Sequence, residues 1–230
     1  MDKSDEAVSV DELQRGLLVE ADMTVLPGMN LFLEASRARL AQEGIQVDRD
    51  LFLRFLFGRQ PARGMSALLE HSGKKGDAAA LASECTAAYL AALEGAGKQA
   101  NEPVLTFVRE VAGQGFKVGL ITQLPDSTAR QVFAGVLGES VGVISESPVN
   151  IGVQGWEGWR RASRKLQVRE RLCVALSSPA SARWALAASM RVVVLMNPMQ
   201  EHLDTGGADV LCETFNASVR ASAMALFKRP

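Results

Sequence analysis

Cysteine is scarce: the 230 residues contain only Cys85, Cys173 and Cys212, an odd number set far apart. That usage argues against a secreted disulfide scaffold and fits a reducing cytosol. Histidine is scarcer, with only His71 and His202. Neither has a cysteine or acidic partner at metal-ligand spacing, so the sequence presents no evident metal site. Charge of one sign is also missing, since 25 Lys+Arg against 26 Asp+Glu give a net charge of −1. Without a basic surplus there is little counterion release to drive binding to a phosphate backbone, which argues against a dedicated DNA or RNA binder. No apolar run approaches the ~18–20 residues of a membrane-spanning helix. Residues 1–12 are acidic and polar, lack an apolar h-region, and read as a frayed leader rather than a signal peptide.

What is present is an ordinary globular mixture, 47% hydrophobic and 22% charged. Short, nearly continuous apolar runs recur at 16–19, 116–122, 141–144, 172–176 and 191–195, with a weak sixth at 209–211. Such runs suit strands buried on both faces of a parallel sheet. Helical patterns alternate with them from residue 103 onward: 103–114, 126–138, 156–166, 179–190 and 213–227. This βα alternation predicts an open α/β sheet. The stretch between Pro27-Gly28 and Gly95-Ala96-Gly97-Lys98 breaks the rhythm and carries no strand pattern. It reads as amphipathic helices at 30–42, 48–57, 62–70 and 77–93. The expected architecture is an α/β, Rossmann-like parallel sheet core, residues 13–27 and 98–230, with an inserted α-helical cap at 28–97.

Open α/β sheets bind ligands beyond the carboxyl ends of their strands. The residues there are Glu20-Ala21-Asp22-Met23-Thr24, then Thr122-Gln123-Leu124-Pro125-Asp126, then Ser145-Glu146-Ser147-Pro148, then Ser177-Ser178-Pro179. With "KVGLITQLPD", "RKLQVRERLCVAL" and "ALAASMRVVVL" in order behind them, the chain resembles the haloacid dehalogenase (HAD) superfamily, in its phosphoglycolate phosphatase and β-phosphoglucomutase branch. The resemblance spans about residues 16–211. It implies a Rossmann-like core, a helical cap and Mg²⁺-assisted phosphoryl transfer at a first-strand Asp-x-Asp-x-Thr.

Carried over residue by residue, the resemblance places Glu20 at the nucleophile, Asp22 at the acid/base, Thr24 at the following threonine, and Thr122 with Gln123 at the phosphate-holding tip. Three stations depart from it. The nucleophile is Glu20 instead of Asp. The phosphate-neutralising lysine should fall near 152–154, where Val153 stands. The acidic pair that helps hold Mg²⁺ is replaced by Ser177 and Ser178, leaving Glu20 and Asp22 as the remaining metal ligands. Asp to Glu pushes a carboxylate ~1–1.5 Å toward the phosphate, a misplacement worth roughly a hundredfold in rate. Mg²⁺ asks for near-octahedral oxygen ligands, usually including one or two carboxylates. The joint loss predicts a HAD-like protein without phosphatase chemistry, acting as a binding or regulatory module with no cofactor, on an unknown small molecule or protein. The alternative is a Mg²⁺-dependent phosphatase or phosphomutase in which Glu146, Asp126 or Glu157 supplies the acid and Arg160, Arg161 or Lys165 the cation. A third reading makes Asp22 a lone acid/base on a non-phosphate substrate.

Each candidate also has a plainer role. Asp22 could accept backbone N–H bonds in its own turn, and Thr24 could cap that turn. Arg160, Arg161, Arg164 and Lys165 could be a solvated helix face. Trp156, Trp159 and Trp184 read as core or interface anchors. The apolar segment Leu51, Phe52, Phe55, Leu56 and Phe57 could be the cap's own core, a lid over an apolar ligand or a homodimer surface.

Overall fold

The computed structural model describes residues 14–146 and 152–228; the expected leader at 1–12 and the strand-tip residues Ser147 and Pro148 lie outside them. In chain order the elements begin with β1 (Gly16–Glu20) and the short α1 (Ala21–Thr24). A helical stretch follows: α2 (Gly28–Ala41), α3 (Arg49–Leu51), a π-helix (Phe52–Leu56), α4 (Pro61–His71), α5 (Ala78–Gly95) and a 3₁₀ turn (Ala96–Gln99). The remainder alternates α6 (Glu102–Gly113), β2 (Lys117–Thr122), α7 (Asp126–Val132), β3 (Val141–Ser145), α8 (Trp156–Leu166), β4 (Cys173–Ser177), α9 (Pro179–Ala187), β5 (Arg191–Leu195), β6 (Val210–Cys212) and α10 (Ala217–Leu226).

All six strands are parallel, in the order β3-β2-β1-β4-β5-β6. β1 lies between β2 and β4 although the helical stretch separates it in sequence from both. The continuous apolar runs have a direct structural cause. Leu17 and Val19 face one core while Leu18 faces the other, and Val193 sits opposite Val192 and Val194 in the same way. A strand covered on both faces needs apolar residues at every position. Each such side chain contributes roughly 1.5–3 kcal/mol over its exposed state. Gly119 of β2 is required by packing: a Cβ there would lie 2.5 Å from Ile144 Cδ1 and 2.9 Å from Leu18 Cδ2.

The helical stretch packs mainly through α2, α4 and α5. Phe32, Leu33 and Leu40 of α2 bury with Leu81, Tyr89 and Leu93 of α5 in the core that also takes Leu17 and Val19. Side-chain caps define the starts: Asp48 accepts from the Leu51 N–H, and Asp77 from those of Ala79 and Ala80, as N-cap acids do.

Two expectations need correction. The helix expected at 48–57 is one α-turn leading into a π-helix, closed by the Phe57 N–H on the Phe52 carbonyl at 3.0 Å. The wider turn lets Phe52, Leu56 and Phe57 all bury, with the Phe52 ring 5.1 Å from Phe32 and 5.9 Å from Phe57. That segment therefore belongs largely to the cap's own core. At Gly95–Lys98 the chain leaves α5 through a 3₁₀ turn. The helix expected to reach 138 stops at Val132, because Gly135 and Gly138 lie in what would be its second half. Among the described residues no helix is long and apolar enough to cross a membrane.

Candidate functional site

β1 ends at Glu20, and its parallel neighbours β2 and β4 end at Thr122 and Ser177. Parallel register alone therefore brings the three expected strand tips together. Glu20, Asp22, Thr122 and Ser178 are all buried, at 5%, 3%, 2% and 2% exposure. At that exposure both carboxylates are almost wholly withdrawn from solvent.

Every carboxylate oxygen already has a protein donor. Glu20 Oε2 accepts the Ser178 backbone N–H at 2.7 Å, and Glu20 Oε1 accepts the Ser181 hydroxyl. Asp22 Oδ2 accepts the Gln123 N–H at 2.7 Å, and Oδ1 accepts the Thr122 hydroxyl. The Thr122 oxygen in turn accepts the Leu124 N–H at 3.1 Å. Thr24 donates its hydroxyl to the Glu20 carbonyl at 2.8 Å, tying down the α1 turn as expected. Asp22 does not bond within its own turn. It spans to the tip of β2, the strand that runs beside β1. Glu20 likewise fastens β1 to the start of α9. The pair acts as a set of cross-strand clasps.

Burial dominates the electrostatics. Desolvation pushes Glu20 up to about 7, with the Ser181 and Ser178 bonds opposing it and the Asp22 charge adding to it. The Ser178 hydroxyl leans the same way on Glu20 but lacks the geometry of a hydrogen bond. Desolvation likewise raises Asp22 to about 6, against the Thr122 and Gln123 bonds. Burying a carboxylate without a cation disfavours its charged form. Tyr89 of α5 was not visible as a site residue in the sequence. It is fully buried, its hydroxyl has no hydrogen-bond partner among the described residues, and burial first, then Asp22 and Glu20, push its pKa well up. A side chain of the helical stretch therefore lies near enough to the pair to feel both charges. Ser181 was also missed; it donates to Glu20 while accepting the Gln154 N–H at 2.8 Å. Only the tertiary fold reveals that link between α9 and the loop before α8.

The remaining candidates do not join the pair. Arg161 and Lys165 both bind Glu146, at 2.9 and 3.0 Å. Arg160 binds Glu170 at 3.4 Å, and Asp126 binds Arg130 at 2.7 Å. Three of the four basic side chains of α8 are thus engaged by Glu146 and Glu170. Val153, where the resemblance implies a lysine, packs against the apolar core with its Cγ2 3.1 Å from where a Gly58 Cβ would lie. Cys173 is buried in β4 with its thiol pushed up to about 12 by desolvation, hence unreactive.

The residues present do not fit Mg²⁺. Both carboxylates are engaged by N–H and O–H donors, the Ser177 hydroxyl is buried without a partner, and no cluster of three metal-ligating side chains occurs among the described residues. Hard divalent cations need convergent, unengaged anionic oxygens.

No protein-family model matches the sequence, and no curated protein matches it. Solved structures do resemble the fold. A β-phosphoglucomutase from Clostridium difficile is 15% identical, with a TM-score of 0.68 over 94% of this chain and 100% of that one. CbbY from Rhodobacter sphaeroides, solved in complex with phosphate, is 19% identical, with a TM-score of 0.66 over 88% and 95%. A HAD family hydrolase from Deinococcus radiodurans R1, with bound phosphate and sodium, is 16% identical, with a TM-score of 0.65 over 93% and 96%.

Proposed function

We propose that this chain, which has the HAD fold, has lost phosphoryl-transfer chemistry and serves as a cofactor-free binding or regulatory protein whose partner is a small molecule or another protein. One observation carries the reading: the two carboxylates expected at the nucleophile and acid/base positions are buried, with each oxygen accepting a bond from the protein and no side-chain cation paired with them among the described residues. Phosphoryl transfer rests almost wholly on positioning and charge neutralisation. A phosphate dianion placed at ~4 Å from an uncompensated carboxylate meets ~4 kcal/mol of repulsion per unit pair at an effective dielectric of ~20. Releasing Glu20 for attack would also break its bonds to Ser178 and Ser181, which join β1 to α9. The carboxylates have in this reading been converted from reagents into structural clasps.

The test is Mg²⁺-dependent hydrolysis of p-nitrophenyl phosphate by the native chain and by a variant carrying Glu20→Asp, Val153→Lys and Ser178→Asp. The native chain is expected to give no turnover above background. Turnover that Mg²⁺ stimulates and chelation abolishes overturns the reading in favour of a working phosphatase. Turnover appearing only in the triple variant traces the loss to those three positions.

A further inference from the structure

A groove lies at the opposite end of the sheet. The segments 169–171 and 187–189 stand just before the amino ends of β4 and β5, whereas Glu20 and Asp22 follow the carboxyl end of β1. There, Trp156, Arg160, Arg169, Glu170, Arg171 and Ser189 line a groove of about 550 Å³ between α8 and α9. Three guanidiniums face one carboxylate in a chain whose net charge is −1, so the positive charge is a local concentration. Glu170 is already taken by Arg160, whose guanidinium also lies 5.3 Å from the centre of the Trp156 ring. Arg169 and Arg171 are exposed and have no ion pair among the described residues. Trp156 is 38% exposed, although its neighbour Trp159 on the same helix is fully buried. The groove floor is built rather than loose: α8 and α9 pack Trp159, Ala162, Ala182 and Ala185 into the core beneath it.

We propose that this groove binds a small phosphorylated compound bearing a planar ring, with the phosphate on Arg169 and Arg171 and the ring against Trp156. Guanidinium forks match phosphate oxygens bidentately and remain charged at any physiological pH. An indole face offers stacking area to a planar ring beside a cation. The inference is independent of the fate of the Glu20/Asp22 pair and would hold for a catalytic chain as well.

Isothermal titration of the full chain with adenosine 5′-monophosphate, inorganic phosphate and adenosine tests it. The monophosphate is expected to bind, phosphate more weakly, and adenosine more weakly than the monophosphate. Arg169→Ala with Arg171→Ala should weaken both phosphorylated probes roughly tenfold or more, the loss expected for two charge-assisted contacts. Trp156→Ala should weaken the monophosphate and leave phosphate unchanged. Arg183→Ala is the control: Arg183 is exposed and stacks on Trp184 at 4.5 Å, outside the groove lining, so binding should be unaffected. All four positions are at least one-third exposed, and thermal melts of each variant verify folding. Three outcomes overturn the proposal. One is no binding of either phosphorylated probe. Another is binding unchanged by the double substitution, which would place the anion elsewhere, for instance at Arg54, Arg59 and Arg63 of the cap. The last is equal loss in the Arg183 control, which would reveal a diffuse charge effect.

Discussion

Replacing Glu20 by glutamine should stabilise the protein, and increasingly so as pH rises. The native carboxyl titrates near 7 against an ordinary value of 4.5, chiefly because burial disfavours its ionised form. The sign follows from linkage. Between those two values the folded state binds more protons than the unfolded chain, so stability falls as pH increases. The contribution is fully present below about pH 4.5 and is lost as pH rises through about 7. A shift of that size corresponds to at most about 3.5 kcal/mol, since each pKa unit is ~1.4 kcal/mol, and relaxation of the buried site lowers the yield. Glutamine is close in shape and cannot ionise. Its carbonyl can still accept the Ser178 N–H, and its amide can donate to the Ser181 oxygen. Urea unfolding at intervals from pH 5 to 8 should give a native midpoint that declines with pH and a Glu20→Gln midpoint that declines less. The two curves should diverge by about 1–3 kcal/mol at pH 8 and converge near pH 5. Asp22, held near 6 for the same reason, supplies the decline that remains in the variant. Parallel curves, or a variant less stable than native at pH 8, would refute the claim that Glu20 is a buried acid without a compensating cation.

Ser181→Ala should cost about 1–3 kcal/mol, because it strands both Glu20 Oε1 and the Gln154 N–H, and it should move the Glu20 titration further upward; denaturant melts and a carboxyl-edited NMR titration read the two effects. Tyr89→Phe removes a buried hydroxyl that has no partner and should leave stability unchanged or raise it by about 1 kcal/mol; a loss above ~2 kcal/mol in thermal melts would mean that the hydroxyl is bonded in solution.

The alternation of strand and helix from residue 103 was legible because each strand is covered on both faces, and that leaves a continuous apolar run that no exposed element could carry. Leu17, Leu18 and Val19 are one such run, split between two cores. The break in that rhythm before residue 103 revealed the helical insertion for the same reason. Local geometry inside the insertion was less legible. The π-helix at Phe52–Leu56 depends on which rings must meet across the cap, and the single-turn pattern of the sequence does not encode that.

The sequence by itself determined the type and order of the elements and the strand tips where a site must lie, since apolar period and chain order are local properties. Through the resemblance it also marked Glu20, Val153 and the Ser177-Ser178 pair as positions whose residue types differ from what the resemblance implies, since residue type needs no coordinates. Tertiary structure alone decided what the residues at those stations do. Asp22 bonds to Thr122 and Gln123 about one hundred residues away, Glu20 bonds to Ser178 and Ser181, and Tyr89 of α5 is buried near enough to feel both carboxylates. Hydrogen-bond partners and desolvation are set by contacts between distant segments, and no pattern along the chain carries them.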